Sequence, residues 1–265
     1  MTGAAPMIEA RGLSVAINET TILRKIDLAI ARGESVAIIG PNGAGKTTLL
    51  KSIGGMVKTT GGHVRVQGKD VAAYSPKDRA RLMAYVPQSS GLVLSCTAFE
   101  FVLMARYAHF TSPVSIDTKD KAAALCAMDT TGTADFRDRR LNTLSGGERQ
   151  KVFIAAALAQ DAPIVLLDEP AAFLDYKHEA ELIALAQRLN KESGLTVISV
   201  NHDLNQGVLE CGQALALNHG RLVFSGSPQG LTEPGVLQSI FQTPFDIVEH
   251  DATGRSIVIP LRRSS

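Results

Sequence analysis

The densest chemistry in this sequence lies in nine consecutive residues, Gly40, Pro41, Asn42, Gly43, Ala44, Gly45, Lys46, Thr47 and Thr48. Gly40, Gly45, Lys46 and Thr47 satisfy the spacing G-x-x-x-x-G-K-[ST] of a phosphate-binding loop. A nucleotide polyphosphate carries several negative charges that must shed water, so it needs many donors at close range. Gly43 and Gly45 let the backbone curl until successive N–H groups point inward, and a helix starting here adds the positive end of its dipole. Lys46 then brings a compact charge to the β and γ phosphates. The Thr47 hydroxyl is placed to ligate Mg²⁺, and Thr48 to donate to the α-phosphate. A plain glycine turn between strand and helix accounts for the glycines, but not for lysine and threonine at these two positions.

Three further places carry groups suited to such a ligand. Residues 164–170 form an apolar run that ends in Asp168, Glu169 and Pro170. A strand buried on both faces needs such a run, and acids at its carboxyl end lie where ligands bind in parallel sheets. Ser145 and Glu148 have capping-box spacing, so a helix starts at Ser145 with Gly146 and Gly147 in its first turn. Glycine costs a helix up to about 1 kcal/mol per residue, and bare N–H groups at a helix start suit an approaching anion. His202 closes the strand over residues 195–200, at the same sheet edge as the phosphate loop.

The elements that must hold these groups can be read in order. Residues 35–39 form a buried strand feeding the loop, and residues 47–53 a helix leading out. Short strands cover residues 8–10, 13–17, 26–30 and 63–67, with turns at Asn18-Glu19 and Arg32-Gly33. Ser75 and Pro76 open a short helix that runs into a strand over 82–86, followed by Pro87-Gln88. From Ser90 to about Thr143 the pattern is helical, with Thr97 and Glu100 as a capping box and residues 117–128 alanine-rich. Asp175 precedes a helix over 177–192 that Gly194 stops. Strands over 214–217 and 221–224 flank a turn at Asn218-His219-Gly220. After Gly226 come a short helix near 236–241 and a last hairpin around Thr253-Gly254, and Arg262 and Arg263 read as a solvated tail.

At 265 residues and 45% hydrophobic, the chain supports a real core. No apolar run approaches the ~18 residues that span a bilayer, and the opening MTGAAPMIEARG shows no signal-peptide pattern. Cys96, Cys126 and Cys211 are widely spaced without a metal-type pair, as expected of small residues in a reducing compartment. A net charge of +1 gives no extended nucleic-acid surface.

Taken together, GPNGAGKTT, Gln88 after a strand, LSGGERQ (144–150), LLDEP (166–170) and His202 resemble, in that order, the motifs of ABC-transporter ATP-binding subunits. The resemblance covers the whole chain. It implies an α/β fold of the P-loop NTPase (RecA-like) class: a mixed sheet core, an N-terminal antiparallel β layer and an inserted α-helical subdomain. Residues 1–89 and 144–225 would be the nucleotide-binding core with its β layer, 90–143 the helical subdomain and 226–265 a C-terminal extension of one domain. The cofactors implied are ATP and Mg²⁺. Asp168 would hold Mg²⁺ through water, Glu169 would orient or activate the attacking water, Gln88 would sense both, and His202 would contact the γ-phosphate. Ser145, Gly146 and Gly147 would bind the γ-phosphate of a nucleotide held by a second copy, with Asp175 in the same head-to-tail dimer. The helical insert near Gln88 would pass the dimer's motion to an integral membrane permease at the inner face of the membrane, and indirectly to a substrate-binding protein; no nucleic acid is expected.

A single free-standing domain, LDEP and the run at 201–205 are similar to bacterial importers. The segment from Ser225 to Pro260 looks like subunits serving ferric siderophores, haem or cobalamin. Two departures stand out. The family stacks an aromatic on adenine where this chain has Ile17, and no aromatic precedes Tyr74; Ala171-Ala172-Phe173 replaces small hydroxyl residues before Asp175. Two rival readings are a soluble ABC-type ATPase acting on nucleic acid or ribosomes, and an exporter subunit. The first lacks the coiled coil or the second phosphate loop it would carry, the second the fused membrane spans.

Overall fold

The structure, a computed structural model, describes residues 5–88, 95–110, 116–172, 174–201, 203–205, 208–251 and 255–261. Ser90, Phe173, His202, Thr253-Gly254, Arg262 and Arg263 lie outside the described residues. The chain divides into two compact units, Met1–Ala73 with Ile198–Ser265, and Tyr74–Val197. The first begins with β1 (Ile8–Ile17), β2 (Thr20–Ile30), β3 (Ser35–Ile39), α1 (Lys46–Ile53), β4 (Gly61–Val66) and β5 (Lys69–Asp70). The second holds α2 (Pro76–Leu82), β6 (Met83–Val86), α3 (Ala98–Met104), α4 (Thr118–Thr130), α5 (Gly146–Ala159), β7 (Ile164–Asp168) and α6 (Tyr176–Ser193). The boundary falls within β8 (Thr196–Val200). The first unit then continues with β9 (Gln213–Asn218), β10 (Arg221–Gly226), α7 (Val236–Phe241), β11 (Phe245–His250) and β12 (Arg255–Pro260).

In the first unit, β2, β1, β4 and β5 form an antiparallel sheet in that order. The two short strands expected over 8–10 and 13–17 are one strand. A register shift between Ala10 and Leu13, with the Gly12 N–H bonded to Asp27 Oδ1 at 2.8 Å, adds a residue that keeps both Ala10 and Leu13 facing inward. A second, mixed sheet runs β10-β9-β3-β8, with β9 parallel to β3 and antiparallel to β10. Val36, Ala37, Ile38 and Ile39 of β3 are buried, which is why that strand is apolar throughout. Ala37, Ile39, Ala214 and Ala216 pack with Leu237, Ile240 and Val258 in one cluster. Asn205 anchors the last hairpin there, donating from Nδ2 to the Val258 carbonyl at 2.9 Å and accepting the Val258 N–H on Oδ1 at 2.8 Å.

In the second unit, β6 and β7 pair in parallel and α3, α4 and α5 pack on one another. Leu82 ends α2 instead of opening the strand. The capping box at Thr97 and Glu100 is formed in both directions, and Asp117 caps α4. Phe101 of α3 meets Phe153 of α5 with ring centroids 5.0 Å apart. Arg106 bonds Asp120 of α4 at 3.0 Å and the carbonyl of Ala159 at 2.9 Å, tying both helices together with a largely buried ion pair. The fold class expected from the motifs is the one observed. Among the described residues, no helix is long and apolar enough to cross a membrane.

Candidate active site

In the first unit the phosphate loop joins β3 to α1 in the order its pattern requires. Gly40 sits at φ +139, and a Cβ there would stand 2.1 Å from the carbonyl oxygen of Leu217, so only glycine lets β9 pass this close. Gly45, at φ +99, caps α1, whose start carries neither a side-chain cap nor an acid in its first turn. That leaves the positive end of α1 for an anion. Pro41 accepts the Ala44 N–H, while Asn42 and Gly43 are exposed, with nothing within 4 Å of where a Gly43 side chain would begin. Lys46 is 5% exposed, and its ammonium bonds the carbonyls of Gly40 at 2.8 Å and Pro41 at 3.1 Å, folding back over the loop. Thr47 and Thr48 lie half-buried on the first turn of α1. Ile17, at the end of β1, is 46% exposed.

In the second unit all five residues of β7 are buried, and the strand delivers Asp168 and Glu169 at its carboxyl end. Asp168 is 3% exposed, and Tyr85 Oη donates to its Oδ2 at 2.7 Å. Burial first, then that bond and the charge of Asp168, push the Tyr85 phenol well above its usual value, so it remains a donor. The parallel register sets Val86 beside Leu167. Two residues on, Gln88 Nε2 donates to Glu169 Oε2 at 2.7 Å, closing a gap of 81 positions in sequence. Glu169 is held at φ +49, a sparsely populated region for glutamate that costs on the order of 1–3 kcal/mol.

These donors fit Mg²⁺. The buried Asp168 carboxylate and the side-chain carbonyl of Gln88 in this unit are hard oxygen ligands, the type that ion takes, and the Thr47 hydroxyl of the first unit is of the same type. No group of three or more His, Cys, Asp or Glu among the described residues could hold a metal alone.

The other glycine-rich stretch opens α5. Ser145 Oγ accepts the Glu148 N–H at 3.2 Å, and Glu148 Oε2 accepts the Ser145 N–H at 2.8 Å. That N–H first, and then the Arg139 guanidinium, hold the Glu148 carboxyl below its usual range. The Ser145 N–H is thus committed, and the first-turn N–H groups of Gly146 and Gly147 are those without an intrahelical partner. Gly147 also has a packing reason that the sequence reading lacked: a Cβ there would stand 2.7 Å from Cγ and Cδ2 of His178. Gly146 has no such neighbour, the nearest atom being Leu174 Cδ2 at 3.9 Å. Asp175 caps α6, accepting the His178 N–H at 2.9 Å, and both of its oxygens lie 2.8 Å from His178 Nδ1. Those contacts, the backbone one foremost, hold the Asp175 carboxyl below its usual range.

The family described as ABC transporter matches residues 23–172. The chain belongs to the ABC transporter family. It is 33% identical to the ferric enterobactin transport ATP-binding protein FepC of Escherichia coli, over 100% of this chain and 98% of that one. It is 37% identical to the hemin import ATP-binding protein HmuV of Streptomyces coelicolor, over 98% and 92%. The ATP-binding cassette MJ0796, solved as a dimer in a post-hydrolysis state with ADP and Pi, superimposes with a TM-score of 0.75 at 29% identity, over 84% of this chain and 99% of that one. This ABC chain is accordingly an ATP-binding ATPase.

Two residues beside the ABC motifs escaped the sequence reading. Tyr85 carries the lone hydroxyl of the strand Met83–Val86, a signal that could have been read. His178 stands three residues after Asp175, the spacing at which a side chain meets its own helix cap. A cavity of about 310 Å³ lies between the end of β6, α3 and α5, lined by Tyr85, Pro87, Phe101, Met104, Phe153 and Gln160 among others. Only the folded chain could reveal it.

Proposed function

We propose that this chain is the ATP-hydrolysing subunit of an importer of ferric siderophores, acting as a head-to-tail dimer beneath a membrane permease. The observation that carries the enzymatic part is the 2.7 Å bond from Gln88 to Glu169, which sets a carboxylate and an amide side by side at the end of a buried strand. Catalysis of this kind is positioning and charge neutralisation, without a covalent intermediate. The loop 40–48 and Lys46 hold the polyphosphate. Glu169 orients a water and draws on its proton as the water oxygen bonds the γ-phosphorus, and the bridging oxygen leaves with ADP, keeping the electron pair. Gln88 holds Glu169 and that water in line, and His202 contacts the γ-phosphate. Thr47 and Asp168 would each offer an oxygen to Mg²⁺, which would supply neutralisation of charge on the phosphate oxygens. Ser145, Gly146, Gly147 and Asp175 complete the site of the partner copy, with Ile17 beside the base.

End-to-end similarity to FepC supports the siderophore as cargo. Similarity to HmuV favours haem as the second reading, and cobalamin follows. The cavity beside Pro87 and Met104 suits an apolar segment of the permease, which would keep the chain peripheral at the cytoplasmic face. A gentle-detergent pull-down of the tagged protein from native membranes tests the assignment. Recovery of a many-helix permease whose associated binding protein takes a ferric siderophore is expected. Soluble or ribosomal partners alone would overturn the transport reading and leave the ATPase intact. In parallel, Glu169→Gln is expected to slow hydrolysis by about 10²–10⁴-fold and to run as a dimer on gel filtration with ATP and Mg²⁺; only monomer would count against the sandwich.

A further inference from the structure

Tyr85 has no part in the roles assigned above, yet its hydroxyl touches a residue that has one. The parallel register puts it beside Leu166 of β7. Leu166 and Asp168 share one face of that strand, so a side chain as long as tyrosine reaches the diagonal neighbour. Its hydroxyl donates to Asp168 Oδ2 at 2.7 Å. Its strand neighbours Ala84 and Val86 are the ones that pack with Val102 of α3 and Phe153 of α5, so the Tyr85 ring lies on the other face of β6, the face that carries Leu166 and Asp168 on β7.

We propose that Tyr85 is a positioning residue, which fixes the Asp168 carboxylate for Mg²⁺. The inference rests on the proposed role of Asp168 as a metal-holding group. The physical case is that a carboxylate on a metal keeps its orientation through outer hydrogen bonds, and losing one typically weakens metal affinity 10–100-fold. A tyrosine that merely satisfied its own hydroxyl would affect stability and leave metal affinity alone.

The test uses the full chain with a non-hydrolysable ATP analogue and Mn²⁺ as the probe ion, reading free Mn²⁺ by electron paramagnetic resonance. Tyr85→Phe keeps the ring and removes the donor. Its Mn²⁺ affinity is expected to fall by about tenfold, with analogue affinity in EDTA unchanged and thermal unfolding confirming a folded protein. Affinity equal to the parent's overturns the inference. Asp168→Asn separates the two levels: if it binds Mn²⁺ as well as the parent, the metal role of Asp168 fails, whereas its loss of binding with Tyr85→Phe unaffected sinks the tyrosine inference alone.

Discussion

Gly147→Ala separates two reasons for a glycine in the first turn of α5. Were the glycine there only to bare an N–H to an anion, alanine would keep the N–H and relieve a helix-propensity penalty of about 1 kcal/mol. The structure gives the opposite sign. The new Cβ would lie 2.7 Å from Cγ and Cδ2 of His178 and 3.1 Å from its Cβ, well inside contact distance, and these atoms are the root of the side chain. The imidazole could swing away only by giving up Nδ1 contacts of 2.8 Å to both oxygens of Asp175. Overpacking of this kind costs typically 1–3 kcal/mol. Contacts as short as 2.7 Å put the cost in the upper part of that range, about 2–3 kcal/mol, so net of the propensity gain Gly147→Ala should destabilise by about 1–2 kcal/mol, lowering Tm by roughly 2–8 °C for a chain of this size. Differential scanning calorimetry without nucleotide reads this directly. Gly146→Ala, whose Cβ meets nothing nearer than 3.9 Å, is the control and should be neutral or stabilising. Gly147→Ala combined with His178→Ala should be less damaged than the sum of the single changes. A Gly147→Ala protein as stable as its parent would refute the packing argument and return the glycine to the anion alone.

Three further outcomes are expected. Gly40→Ala forces a Cβ to within 2.1 Å of the Leu217 carbonyl at φ +139, so it should cost more than about 3 kcal/mol and abolish nucleotide binding, measured by unfolding and by fluorescent-nucleotide titration. Ile17→Tyr places an aromatic at an exposed strand end; stacking worth about 1–3 kcal/mol per base predicts ATP affinity rising roughly 5–150-fold, with the parent showing little preference for ATP over GTP in competition. Asn205→Ala strips the Val258 N–H and carbonyl of their side-chain partners, a loss of about 1–3 kcal/mol that should appear as faster hydrogen exchange in β12.

Much of the site could be read without a structure because its chemistry is local. The phosphate loop, both capping boxes, the apolar β7 ending in two acids and the Gly194 stop of α6, where φ is +64, are each set by residues within a few positions of one another. Backbone conformation and capping bonds depend on that range alone, so spacing suffices. The break expected at Arg11-Gly12 failed because a bulge is satisfied from elsewhere, by Asp27 fifteen positions on.

What only the tertiary structure decided are the pairings that cross long gaps of sequence. The register of β6 against β7 brought Gln88 to Glu169 and Tyr85 to Asp168. The packing of α6 on the start of α5 gave Gly147 its second reason for being glycine. A one-residue change of strand register turns every side chain to the other face, and no property of Tyr85 or Gln88 alone fixes that register. The types of the reacting groups were therefore written in the sequence, and their partners in the fold.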